Sequence, residues 1–173
     1  DIKKTAYLFI NFTLNRLAEI FGIIITFVGI SLFISLFSYS PDDPNFIFPQ
    51  NTEIKNLLGF HGSFISDLFF QSIGLIAYLI SFTLMATGFN ILKTKDFFLI
   101  IENIFYATLY IIFGSLFFSH YYSDAFTLYI NGNGGFVGNY FNQTFLNSLI
   151  NFNEIIVYYL LIALILVLFL LSI

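Results

Sequence analysis

The residues of this chain that could do chemistry are few and widely separated. The two histidines, His61 and His120, and acids such as Asp67 and Asp124 are of types that bind metals or transfer protons. Their spacing matches no metal-ligand pattern, so we predict no metal site. A membrane enzyme with its site around His61, His120 and Asp124 is an alternative that substitution of those residues tests.

Two acidic residues stand beside apolar runs and could carry protons or ions. Asp67 opens one run and Glu102 lies near the start of another. Carboxylates favour the positive end of the helix dipole, so we predict that Asp67 completes a helix start, with Ser63 capping the same helix. We predict that Glu102 reaches to the membrane surface.

Motifs for nucleophilic or phosphate chemistry are missing from the sequence. It contains no cysteine, no Gly-x-Ser-x-Gly turn and no Gly-x-x-x-x-Gly-Lys-Ser/Thr loop. We therefore predict no catalytic and no cofactor-binding residue in this segment, which is not expected to be an enzyme.

The composition indicates an integral membrane protein. Of the 173 residues, 58% are hydrophobic and 9% are charged, whereas a soluble domain carries about a quarter charged residues. The net charge of −4 argues against DNA or RNA binding by this segment, because duplex binding needs a basic face.

Four apolar runs are long enough to cross a bilayer, which takes about 20 helical residues. They predict an all-α membrane protein with four transmembrane helices. In the first run, Gly22, Thr26 and Gly29 share a face and predict close helix contact. We expect residues 1–173 to form a single membrane-anchoring domain that is a fragment of a longer chain. The predicted spans are about 18–38, 67–92, 97–119 and 154–173, and the predicted outer loops are 39–66 and 120–153.

Lysine and arginine are distributed unevenly among the loops. The two long loops together hold only Lys55. Cytoplasmic loops carry an excess of these residues, so we predict that both termini face the cytoplasm and that the long loops face outward. The cytoplasmic set is Lys3, Lys4, Arg16, Lys93 and Lys95.

The second long loop has a structure of its own. Its Asn131-Gly-Asn-Gly-Gly135 cluster favours turns. Beyond the cluster, Val137, Phe141, Phe145 and Leu149 recur every four residues. That pattern predicts a short amphipathic helix in this outer loop, lying in the interface or against the bundle.

The first long loop begins with a stiff turn. Pro41 and Pro44 restrict the backbone, and Asp42 and Asp43 can accept bonds from nearby amides. Further along, Gly59 fits a helix C-terminal cap and Gly62 a close approach before the second helix.

These motifs, in this order, resemble the N-terminal membrane domain of the FtsK/SpoIIIE family of bacterial DNA translocases. Tyr39-Ser-Pro-Asp-Asp-Pro is similar to the segment after that family's first membrane helix, and Gly134-Gly-x-x-Gly138 is similar to a later motif. Asn45 and Ser81 depart from the family's usual residues. The candidate structural or partner-contact residues that the resemblance implies are Tyr39, Pro41, Asp43, Pro44, Gly59, Gly62, Asp67, Gly74, Gly134, Gly135 and Gly138.

The resemblance implies a membrane anchor at the division septum of the bacterial inner membrane. It implies contacts with divisome membrane proteins, and a downstream hexameric motor for chromosome segregation that uses ATP and Mg. The alternative is a small four-helix transporter or channel subunit, or a membrane scaffold. A transporter requires polar groups at the midplane, and no run has a charge at its centre or a proline break.

Overall fold

A computed structural model of the chain describes residues 2–44, 53–123, 131–144, 148, 150 and 153–173. Within these ranges the protein is all-helical, as predicted. Four stretches are long and apolar enough to cross a membrane: Ala6–Phe37, Gly59–Thr94, Leu99–Tyr121 and Glu154–Leu171. The helices are α1 (Ile2–Phe37), α2 (Gly59–Ile73), α3 (Ala77–Thr94), α4 (Leu99–Tyr121), α5 (Gly135–Asn142) and α6 (Glu154–Leu171).

Helix α1 is longer than the first predicted span. It runs without interruption for 36 residues, which corresponds to about 54 Å. The segment before residue 18 contains neither glycine nor proline, so nothing in it stops the helix. The predicted span at 18–38 is therefore the second part of one continuous helix.

The second span is broken, although the sequence predicted one continuous run at 67–92. Helix α2 ends at Ile73, a 3-10 turn follows over Gly74–Ile76, and α3 begins at Ala77. Gly74 has φ 69° and ψ −148°, a conformation that is essentially restricted to glycine. The break therefore depends on a glycine and needs no proline.

Helix α2 also begins eight residues earlier than predicted. The side-chain oxygen of Asn56 accepts a bond from the Leu58 amide at 3.0 Å, and the Asn56 carbonyl accepts one from Gly59 at 2.9 Å. Asn56 thus starts the helix, and Gly59, with φ 63°, is its first residue. The predictions that Gly59 ends a helix and that Asp67 starts one are wrong.

Small residues bring α1 against α3. A Cβ added to Gly22 would lie 2.8 Å from the Gly88 carbonyl oxygen, and one added to Gly29 would lie 2.7 Å from the Met85 amide nitrogen. The backbones can approach this closely only because these side chains are absent. The predicted contact face on α1 is therefore confirmed.

The core lies between α2, α3, α4 and α6, with the second half of α1 closing one side. Its largest member, Tyr110, is fully buried. Thr83 joins Tyr110 at 3.0 Å and Ser172 at 2.9 Å through side-chain hydroxyl groups. The buried apolar residues of this cluster include Leu32, Leu36, Phe70, Ile73, Ile76, Ala77, Leu116, Phe117, Leu161, Ile165 and Leu168.

The two ends of the bundle differ in character. We call the region around residues 93–96, with Arg16 and Glu19, the Lys95 end; there Lys95 lies 2.9 Å from the Glu19 carboxylate, which also pairs with Arg16. Glu102 lies exposed in the first turn of α4, near this end. We call the opposite region, residues 38–44, 53–67 and 131–144, the loop end.

Candidate functional site

Asp43 organises the first loop at the loop end. Its side chain is 5% exposed, and its two carboxylate oxygens accept bonds from the amides of Lys55 and Asn56, each at 2.8 Å. Ser63 on α2 donates to the Pro44 carbonyl oxygen at 2.8 Å. Pro41 lies exposed in the turn just before this contact. These bonds therefore hold the end of α1 and the start of α2 close together.

Asn56 and Gly62 also connect the start of α2 to α1. The Asn56 amide group donates to the Ser35 carbonyl oxygen at 2.9 Å, and the Ser35 hydroxyl donates to the Gly62 carbonyl oxygen at 2.6 Å. A Cβ on Gly62 would overlap the Asn56 side chain. The close approach predicted at Gly62 is therefore present, and its partner is Asn56.

Asp67, in the middle of α2, contacts Tyr39 at the beginning of the first loop. It is 8% exposed and accepts a bond from the Tyr39 hydroxyl at 3.1 Å. The Tyr39 ring meets Phe70 edge to face, with centroids 5.0 Å apart. Asp67 thus serves as a hydrogen-bond acceptor that orients Tyr39.

The break at Gly74 is filled by groups from the second loop and from α4. The Leu75 amide donates to the Asn133 carbonyl oxygen at 2.9 Å, and the Ser115 hydroxyl donates to the Ile73 carbonyl oxygen at 2.9 Å. These bonds satisfy backbone groups that the interrupted helix would leave unpaired. A Cβ on Gly74 would overlap the Asn133 carbonyl.

The glycines of the second loop allow α5 to approach the bundle closely. A Cβ on Gly135, which has φ 63°, would lie 2.6 Å from the Gly74 amide nitrogen. A Cβ on Gly134 or Gly138 would overlap the Ser115 carbonyl oxygen. The helix expected near residues 137–149 corresponds to α5, which leans on α4 and α2, whereas Phe145 and Leu149 lie outside the described residues.

Gln71 joins the two loops. Its side-chain oxygen accepts from the Asn131 amide at 3.2 Å, and its carbonyl oxygen accepts from the Asn131 side chain at 3.1 Å. The Gln71 amide group lies 3.4 Å from the Asp67 carboxylate. A polar chain thus runs from Tyr39 to Asn131. Gln71 was not predicted from the sequence, because a lone glutamine in an apolar run gives no sign of its partner 60 residues away.

The exposed rim of the site carries one ion pair. The Lys55 ammonium lies 2.8 Å from the Asp42 carboxylate. This hydrogen bond lowers the pKa of Asp42 below its ordinary value and raises the pKa of Lys55 above its own.

The histidines lie apart from this polar chain. His120 lies 3.4 Å from the Asn142 side chain, and His61 is exposed beside Phe60. Among the described residues no group of three His, Asp or Glu could hold a metal ion. Asp124, which the enzyme alternative requires, lies outside the described residues.

Known proteins share this segment. Residues 15–173 match the family described as the 4TM region of DNA translocase FtsK/SpoIIIE. A DNA translocase FtsK from Azospirillum brasilense is 33% identical over 87 residues, covering 49% of this chain and 14% of that protein. One from Rickettsia bellii is 31% identical over 78 residues, covering 45% of this chain and 10% of that protein.

These relatives are much longer than the matched segment, so the chain corresponds to a small part of each. No solved structure matches the chain significantly. The matched region is the membrane part of these translocases, which agrees with the prediction that this segment is an anchor and not the enzyme. With four apolar helices and a family match over residues 15–173, the chain belongs to the four-transmembrane region of the FtsK/SpoIIIE DNA translocases.

Proposed function

We propose that this chain holds an FtsK-like DNA translocase in the bacterial inner membrane and directs it to the division septum through contacts with divisome membrane proteins. The motor lies downstream of residue 173, requires ATP and Mg²⁺, and forms a hexamer that gathers six copies of this domain. This segment itself binds no nucleic acid. The family match and the four apolar helices support the anchor role.

The observation that carries the partner contact is an exposed apolar patch on a firmly held base. The patch consists of Ile54, Leu57, Leu58 and Phe60, and Leu57 is 73% exposed. It lies directly beside the contacts that Asp43 and Asn56 make. Ile54, Leu57 and Leu58 precede the candidate span that begins at Gly59. Exposed apolar patches outside the membrane mark interaction sites, and a rigid base lowers the entropy cost of binding there.

The proposed orientation places this patch on the outer face of the inner membrane. It rests on the excess of lysine and arginine at the Lys95 end and at the start of α1. The chain has no cysteine, so single cysteines can report topology. With an impermeant thiol reagent on intact cells, Glu53→Cys and Ser123→Cys should react and Thr94→Cys should not; all three positions are exposed. Labelling of Thr94→Cys alone would reverse the orientation.

Septal targeting is tested by imaging the chain as a fluorescent fusion in dividing cells. The wild-type fusion should form a band at the division site, and the Leu57→Ser, Phe60→Ser double variant should spread over the whole membrane. Phe98→Ser is the matched control, because Phe98 is 76% exposed but lies at the Lys95 end. An even distribution of the wild-type fusion contradicts septal targeting. A septal band for the double variant contradicts the assignment of the patch.

The proposal also predicts the downstream coding sequence of the gene. A polar linker and an ATPase domain with a Gly-x-x-x-x-Gly-Lys-Ser/Thr loop should lie after residue 173. A stop codon shortly after the fourth helix would favour the transporter or scaffold alternatives. Broken helices occur in transporters, but the break at Gly74 is occupied by Asn133 and Ser115.

A further inference from the structure

Three tyrosines form an open recess where α4 ends and α6 begins. Tyr121 and Tyr158 meet at 88° with centroids 5.1 Å apart, and Tyr158 and Tyr159 meet at 90° with centroids 5.3 Å apart. The recess has a volume of about 240 Å³, and Glu154 and Ile155 complete its lining. Its walls are therefore three tyrosine rings, with the Tyr158 ring nearly perpendicular to both others, together with Glu154 and Ile155.

Hydrogen bonds between the two helices hold these rings in place. The Tyr121 hydroxyl donates to the Glu154 carbonyl oxygen at 3.1 Å, and the Tyr122 and Tyr158 hydroxyl groups lie 2.7 Å apart. The Phe117 ring packs against the Tyr158 ring, with the two ring centroids 5.3 Å apart. Tyr121 and Tyr158 are thus held between the two packed helices, whereas Tyr159 forms an exposed wall of the recess.

The electrostatics of the recess favour a cation. Aromatic faces attract ammonium groups and other cations that lie within about 6 Å of the ring centroid, and aromatic cages recognise quaternary ammonium ligands. Glu154 adds an exposed carboxylate. Among the described residues the ion pairs involve Glu19 and Asp42, and none involves Glu154. Within that part of the chain, Glu154, which lines the recess with the three tyrosines, has no protein cation paired with it.

We propose that this recess binds the ammonium head group of a phospholipid, of the phosphatidylethanolamine type. The recess lies at the first turn of α6, where an apolar span starts and lipid head groups are expected. Further along α6 lie Ile156 and Leu160, which are 62% and 55% exposed. One lipid can therefore place its ammonium group in the recess and its acyl chains on this apolar surface. Glu154 lies in the first turn of α6, where its carboxylate also favours the positive end of the helix dipole.

The test measures lipid retained by the full chain after purification from vesicles of defined composition. Vesicles contain either phosphatidylethanolamine or phosphatidylglycerol, which lacks an ammonium group, and bound lipid is counted by native mass spectrometry. The wild-type chain should retain phosphatidylethanolamine in preference to phosphatidylglycerol. Glu154→Gln, which removes the charge, and Tyr159→Leu, which removes an exposed wall, should each weaken that retention on the order of fivefold.

Tyr140→Leu is the control, because Tyr140 is an exposed tyrosine on α5, away from the recess. It should retain phosphatidylethanolamine as the wild type does, and circular dichroism should show equal helix content in all variants. Equal retention by wild type, Glu154→Gln and Tyr159→Leu overturns the proposal. So does an equal loss in Tyr140→Leu, which would indicate a general tyrosine effect. A chain that retains both lipids equally but binds a lysine-containing peptide at the recess would also overturn the proposal. That result would assign the recess to a protein partner.

Discussion

The loop end and the Lys95 end of the bundle are held together in different ways. At the loop end, buried polar side chains bond to specific main-chain atoms, as Asp43 does to two successive amides. Toward the Lys95 end, small residues such as Gly22 and Gly88 let α1 and α3 pack, and the buried polar contacts join side chains to one another, as Thr83 does with Tyr110.

This difference predicts how well each region tolerates amino-acid substitution. Directional bonds to main-chain atoms require one geometry, and a buried group that loses its partner costs free energy. Hydrogen bonds between hydroxyl groups of membrane helices contribute little to stability on average, because these groups also find hydrogen-bond partners in the unfolded state within the membrane. We therefore expect single substitutions at the loop end to have the larger effects. A rigid loop end also suits a surface that meets other proteins.

The largest effect is expected for Gly74→Ala, because the Gly74 backbone packs directly against Asn133 of the loop end. Alanine would have to adopt a backbone conformation essentially restricted to glycine, and its Cβ would overlap the Asn133 carbonyl. We expect a loss of about 3 kcal/mol or more in the free energy of unfolding. The measurement is reversible unfolding in mixed micelles, followed by circular dichroism.

Gly59→Ala is the matched control for that variant. Gly59 also has a positive φ of 63°, but a Cβ there meets no atom within 4 Å. It should lose only about 1 kcal/mol, from backbone strain alone. Equal losses in the two variants would contradict the close packing of Asn133 against the break.

The next effect is expected for Asp43→Asn. Asparagine keeps one acceptor oxygen, but its NH₂ group would face one of the two backbone amides that now donate to Asp43. Two donors cannot bond to each other, so one buried hydrogen bond is lost. We expect the free energy of unfolding to fall by about 1–2 kcal/mol. Asp42→Asn removes the same charge at the exposed neighbouring position, and its free energy of unfolding should fall far less. If both variants behave alike, charge and not the bonds to the amides stabilises the loop.

A smaller effect is expected for Tyr110→Phe in the core. The variant removes the hydroxyl that meets Thr83 and leaves the ring packed. We expect a loss of about 0.6 kcal/mol, measured in the same unfolding experiment. Tyr106→Phe on the same helix is the control and should be neutral. A loss in Tyr110→Phe as large as that in Asp43→Asn would remove the contrast between the two regions.

The smallest effect is the pH dependence of the Asp42–Lys55 ion pair. The pKa of Asp42 is lowered, so its contribution is present above its unfolded pKa of about 3.9 and is lost as the pH falls through the lower folded value. The pKa of Lys55 is raised, so its contribution is present below about 10.4 and is lost as the pH rises through the higher folded value. Stability profiles of wild type and Lys55→Gln should therefore differ slightly between these limits and converge outside them. Profiles that diverge most below pH 4 would contradict the pairing.

The number of spans could be predicted from the sequence because apolar run length alone decides it. The α1–α3 contact could be predicted because glycines at helical spacing on one face are visible locally. The break at Gly74 could not be predicted, since a lone glycine in an apolar run is compatible with a continuous helix. Its conformation depends on Asn133, which is distant in the sequence and was interpreted only as part of a turn.

The early start of α2 escaped prediction for a similar reason. Asn56 looks like an ordinary loop residue, and its effect appears only when Ser35 and Gly62 surround it. The candidate residues Tyr39, Asp43 and Asp67 were named from a family resemblance. The sequence predicted that Asp43 accepts bonds from nearby amides, whereas the identity of those amides and the bond between Tyr39 and Asp67 came from the structure.

The contact between Asp43 and the amides of Lys55 and Asn56 has a practical consequence. It fastens the exit from α1 to the approach to α2, so the number of residues inserted between Pro44 and Glu53 does not decide where the helices lie. Doubling the length of a flexible loop costs only about 0.6 kcal/mol once its ends are held together. A short epitope tag inserted at this position should therefore leave the bundle intact, and because the position adjoins the Leu57 patch in the sequence, it also tests whether a group beside that patch disturbs septal targeting.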